Sequence, residues 1–198
     1  DLKDTDASAY RWTDAVLDRH IAHALKELSQ AIPREQKATI ATTSGSRAVS
    51  VATLADLVLL WAVEYPVDKF PPSYQRFALF DQVITLLGDD VPTGANCYVF
   101  WGKLHTLDAS TSTVPAMFED VLAMGASAYA LLEYAAYTLN RVNVGGGKTE
   151  WDYRREGERR LKLFHDALKR NSYKNRIRTS RMYPPYEPKR SQSTDWGP

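Results

Sequence analysis

The sequence predicts an α+β chain: a three-helix core, a small antiparallel β-domain inserted after the first helix, and an extended C-terminal arm. Three observations carry this prediction. Apolar residues recur at helical spacing over 13–32 and again over 149–171. From Lys37 to Thr106 the period changes to short alternating and aromatic runs. The stretch 115–140 is apolar on most sides, so a helix formed there must be covered all round. The boundaries that follow are 1–36 for the N-terminal segment and first helix, and 37–110 for the inserted β-domain. Residues 111–171 hold the long central helix and a charged third helix, and 172–198 the arm.

With 198 residues, 44% of them hydrophobic, the chain can bury a real core. A formal net charge of +1 identifies no partner class. One cysteine, Cys97, excludes an intramolecular disulfide framework and fits a reducing compartment. No stretch has the pattern of a signal peptide.

Thr13 is placed to cap the first helix, with Asp14 in its first turn. Leu17, Ile21, Ala24, Leu28 and Ile32 form its apolar stripe, and Pro33 ends it. His20 and His23 are spaced to share a metal, but no cluster of further ligands lies nearby. They read as ordinary core or surface histidines.

In the β-region, the runs 38–42 and 47–52 flank Ser44-Gly45, a hairpin-type turn. The runs 58–65, 76–80, 82–87 and 97–105 follow, with Asp81 as a turn or bulge, giving five or six strands. Tyr98, Phe100 and Trp101 are expected to fill this domain's core; a second reading makes some of them a contact surface. Cys97 reads as buried packing.

Pro115 suits the first turn of the central helix, and Glu119 and Asp120 complement its dipole. The apolar run is near membrane-spanning length, but Glu133 interrupts it and Ala and Ser dilute it, so a core helix is expected. Ala123, Ala126, Ser127 and Ala130 form a low ridge against which a core helix or a neighbouring subunit can pack closely. Glu133 is expected to form a buried ion pair, with an arginine of the last helix as partner, in a structural role.

Gly147-Lys148-Thr149 resembles the end of a phosphate-binding loop. Val142 stands where that motif needs glycine, and a helix precedes it instead of a strand, so it reads as a linker with Thr149 as cap. Tyr153, Gly157, Leu161, Phe164 and Leu168 are the apolar stripe of the third helix. Glu156–Arg160 and Glu158–Lys162 have favourable ion-pair spacing. Gly157 costs about 1 kcal/mol relative to alanine inside a helix, which predicts a close backbone neighbour.

After Ser172 the patterning stops, and Pro184, Pro185 and Pro188 forbid a helix around them. Ile177, Met182, Tyr183, Tyr186 and Trp196 can anchor such an arm in pockets, and Arg176, Arg178 and Arg181 can pair with acidic groups or phosphates. Protein docking and nucleic-acid binding both fit this mixture. No serine lies in a nucleophile elbow, and no cofactor or metal motif is complete, so the chain does not read as an enzyme.

The order of elements, with Tyr10-Arg11-Trp12-Thr13-Asp14, the run 102–108 and the run 126–146, resembles the head-to-tail connector (adaptor, head-completion) proteins of tailed bacteriophages. That resemblance implies a virion protein of the neck, made in the host cytoplasm. It implies a homo-oligomeric ring, usually of twelve copies, seated between the portal protein and a stopper or tail-completion protein. Packaged DNA would pass through the lumen without sequence-specific binding, no membrane would be involved, and the C-terminal arm would reach the portal. The alternative is a nucleic-acid-binding or ligand-binding module, using the basic tail or a pocket beside the β-domain.

Overall fold

The computed structural model of the chain describes residues 2, 10–70, 72–138 and 150–182; for residues 150 and 173–182 it describes the backbone only. Among the described residues the fold is α+β, with three α-helices and two antiparallel sheets.

Helix α1 spans Asp14–Ala31 and turns Ala24 and Leu28 fully inward. Thr13 is its N-cap residue, although its side chain makes no capping hydrogen bond. Pro115 lies just outside the second helical region, as the cap of a single 3-10 turn at Ala116–Phe118. Helix α2, Glu119–Thr138, follows directly, with Glu119 and Asp120 in its first turn. It packs against α1 on one side and against α3, Glu150–Met182, on the other. This two-sided cover explains why its sequence is apolar nearly all round. Phe164, Leu168, Leu28, Phe118 and Leu122 share one core cluster.

Among the described residues, seven strands lie between α1 and the 3-10 turn. They are β1 (Arg34–Ala41), β2 (Ala48–Ser50), β3 (Leu57–Glu64), β4 (Tyr74–Gln75), β5 (Phe77–Phe80), β6 (Val83–Leu86) and β7 (Asn96–Lys103). One sheet has the order β1-β7-β3-β4 and the other β2-β6-β5. Val49, Val63, Ile84, Leu86, Cys97, Val99 and Trp101 fill the space they enclose.

The expected hairpin at Ser44-Gly45 does not form: β1 pairs with β7 and β2 with β6. The turn is tied elsewhere, with Thr42 N–H donating to Ala95 O at 3.1 Å and Gly45 N–H to Pro92 O at 2.8 Å. Alternation in sequence marks a strand but does not choose its partner. The β5–β6 hairpin does form, through Asp81 and Gln82, both at positive φ as a tight two-residue hairpin turn requires.

Helix α3 corrects the expectation of an extended arm from Ser172. It continues through Met182, so Arg176, Ile177, Arg178, Arg181 and Met182 are helical. The proline residues that forbid a helix begin only at Pro184. Tyr183, Tyr186 and Trp196 lie outside the described residues, as do the glycine linker and the Thr149 cap.

Candidate functional site

The helices meet the sheets at His105. Its Nδ1 lies 2.9 Å from Thr113 O, its Nε2 lies 3.0 Å from Ile32 O, and its backbone N–H donates to Ser29 Oγ at 3.0 Å. Ser29 Oγ in turn donates to Leu25 O at 2.6 Å. One buried imidazole thus fastens the end of α1 to the chain leaving β7 and to the segment before α2.

The predicted subunit ridge is mostly occupied within the chain. Ala126, Ser127 and Ala130 are buried, and only Ala123 is exposed. Ala130 lies in a cluster with Trp12, whose Nε1 donates to Ala130 O at 3.2 Å. Ser127 Oγ accepts from Arg160 Nη1 at 3.0 Å. The same small residues that permit close approach have been used by α3 and by the N-terminal segment.

Glu133 is not buried: its side chain is 44% exposed. Its partners come from the first helix and not the last, namely Arg19, which donates to Oε2, and His20, whose Nε2 is 2.6 Å from the same oxygen. Arg19's hydrogen bond is the main cause holding the Glu133 carboxyl below the usual range. Burial pushes the His20 imidazole down, although Glu133 opposes that shift. The position of Glu133 along α2 gave no sign of which neighbouring helix its side of α2 would meet.

A second polar cluster joins all three helices. Glu27 accepts from Tyr129 OH at 2.7 Å, with His165 Nε2 at 3.3 Å and His23 Nε2 at 3.5 Å. The rings of His23 and Tyr129 stack with centroids 4.3 Å apart. Burial first, then Glu27, pushes the Tyr129 hydroxyl pKa up. His20 and His23 therefore face different carboxylates. Among the described residues, no group of three His, Cys, Asp or Glu side chains is placed to hold a metal ion. Cys97 is buried within its strand, and burial pushes its thiol pKa up.

On α3, Glu156 accepts from Arg159 at 2.9 Å and from Arg160 at 2.8 Å, which lower its pKa to about 2. Glu158 pairs with Arg154 at 2.9 Å and not with Lys162. On the four-stranded sheet, Lys37 Nζ stands 3.4 Å from the Tyr98 ring centroid, and Tyr74 meets Phe100 edge-on. Tyr98 and Phe100 are therefore half-buried on the outer face, while Trp101 points into the core.

The surface that pattern reading missed is the outer face of β2-β6-β5. Ala48, Thr85 and Ala78 form one cross-strand row, and Ser50, Val83 and Phe80 the next. All six are exposed, none is charged, and Phe80 is 85% exposed. The signal was present: alternation through 77–86 puts Phe80 and Val83 opposite the inward Ile84 and Leu86. Among the described residues no helix is long and apolar enough to cross a membrane.

No protein-family model matches the chain, and no curated protein is significantly similar to it.

Proposed function

We propose that the chain is a structural subunit of a phage head-to-tail connector. Copies form a ring, twelve in the family it resembles, between the portal protein and a stopper or tail-completion protein. Packaged DNA passes through the lumen. In this reading the three helices are the connector core, residues 37–110 are an insertion in it, and the protein is a non-catalytic component of the virion neck. Docking to the portal falls to the segment beyond the helix, which carries Tyr183, Tyr186 and Trp196.

The observation that carries this reading is the uncharged, exposed outer face of β2-β6-β5. Ala48, Ala78, Val83 and Phe80 are its apolar members, and exposed apolar side chains grouped in this way suit an interaction site. β2 and β5 are opposite edges of one sheet, and neither contains a charged residue to discourage pairing. A contact that lays this face, with its β5 edge, against a different surface of the next copy is heterologous, and heterologous contacts generate a ring where the rotation closes.

The test is Phe80→Asp and, separately, Val83→Lys. Each should leave the melting temperature nearly unchanged, since exposed substitutions usually shift stability by less than about 0.5 kcal/mol. Each should sharply reduce incorporation into particles. Normal incorporation of both variants would remove the support this face gives.

A further inference from the structure

Beyond Leu168, α3 keeps its backbone form while the apolar stripe that faces the core ends. The stripe formed by Gly157, Leu161, Phe164 and Leu168 continues into Asn171, Ser172, Asn175 and Thr179, all polar. The helix nevertheless runs to Met182. Isolated helix segments of this length are marginal in water, so a binding partner would stabilise this one.

Charge supplies a partner. From Lys169 to Met182 the sequence has Lys169, Arg170, Lys174, Arg176, Arg178 and Arg181 and no acidic residue. Arg170, Lys174, Arg178 and Arg181 follow at intervals of four, four and three. On a continuous helix this spacing gathers them on one side over about 16 Å of axis. Towards the start of α3, by contrast, Arg154, Arg159 and Arg160 pair with Glu158 and Glu156. The unbalanced formal charge of the helix is therefore concentrated towards its C-terminal end.

We propose that this end of α3 binds the phosphate backbone of duplex nucleic acid without reading its sequence. Arginine and lysine neutralise phosphates, and asparagine, serine and threonine are the usual accompanying donors to phosphate oxygens. Here Asn175 and Thr179 are interleaved with the basic residues, whereas Asn171 and Ser172 donate to the Ala167 and Lys169 carbonyls of the helix itself. An acidic protein surface could meet the same charge, but Tyr173, Ile177 and Met182 are the only apolar residues from Lys169 to Met182, against six basic ones, so charge and not an apolar groove contact dominates the segment. The inference goes beyond the ring reading: a chain that fails to assemble can still bind duplex, and a ring subunit can fail to.

The experiment titrates the full-length protein into a labelled random-sequence DNA duplex at several salt concentrations. Four phosphate contacts predict a slope of log K against log salt near −3.6, or about a hundredfold loss between about 50 and about 200 mM. The variant Arg170→Gln/Lys174→Gln/Arg178→Gln/Arg181→Gln should bind at least about tenfold more weakly, with a shallower salt slope, since each phosphate contact contributes to both. A charge-matched variant, Arg34→Gln/Lys69→Gln/Arg154→Gln/Arg155→Gln, should bind like the wild type. No binding at low salt, or equal losses in the two variants, overturns the proposal. So does competition by polyglutamate as effective as that by unlabelled duplex, which would assign the surface to an acidic protein.

Discussion

Gly157 of α3 lies against Leu132 of α2: a Cβ at Gly157 would stand 2.9 Å from Leu132 Cγ and 3.3 Å from the Ala128 carbonyl oxygen. Gly125 of α2 has the reciprocal position, where a Cβ would stand 2.9 Å from the ring of the fully buried Phe164. The two helices approach closely because each offers a glycine to the other's large side chain.

Gly157→Ala therefore has two opposed effects. Helix propensity favours alanine by about 1 kcal/mol. Overpacking against a branched carbon and a backbone oxygen costs about 1–3 kcal/mol. The net effect should be a lower melting temperature, by a few degrees, and Gly125→Ala should act in the same direction. A Gly157→Ala protein that melts at or above the wild-type temperature would show that α2 and α3 are not held this close.

The Arg19–His20–Glu133 group predicts a pH dependence with a definite sign. Burial lowers the folded pKa of His20 below its ordinary 6.5. Its contribution is therefore complete above that value and is lost as pH falls. Glu133 is also lowered, from 4.5, so its contribution is lost in a second, more acidic window. Both losses destabilise on acidification. Glu133→Gln removes the charge that partly offsets the cost of protonating His20, so stability should fall more steeply just below pH 6.5. The exposed Arg19–Glu133 pair itself should be worth no more than about 1 kcal/mol. Urea melts at a series of pH values measure this; a shallower slope in the variant would contradict the arrangement.

His105→Leu should be costly. It removes a ring that meets Ile32 O and Thr113 O, and both acceptors lie at a buried junction. A ring with one N–H donates to only one of them, and leaving that buried acceptor unsatisfied costs about 1–3 kcal/mol, so a loss of at least about 1 kcal/mol is expected in denaturant melts. A loss of under about 0.5 kcal/mol, the usual scale of a neutral surface change, would show that the junction is held by other contacts.

The three helices were legible because their periodicity is long and their stops are explicit: Pro33 after α1, Pro115 before α2 and a glycine run before α3. Most strands were legible for the same reason, and so was the close approach at Gly157. The pairing of β1 with β7 was not, because residues far apart in sequence decide it. The partner of Glu133 was missed because a carboxylate's position along a helix does not say which neighbour it will meet. The continuation of α3 to Met182 was missed because the reading relied on an apolar stripe, and this stretch is helical without one. The outer face of β2-β6-β5 was written in the alternation of 77–86, but its exposure depended on the sheet order.

The central claim is that the chain works as one of several like copies around an axis. The most direct measurement is the copy number and symmetry of the chain in purified particles that carry it, by mass analysis and symmetry-free image averaging. A closed ring is expected, with the outer face of β2-β6-β5 covered at each boundary between copies. A single isolated copy with no like neighbour, or a ring in which Phe80 remains open to solvent in every copy, would contradict it.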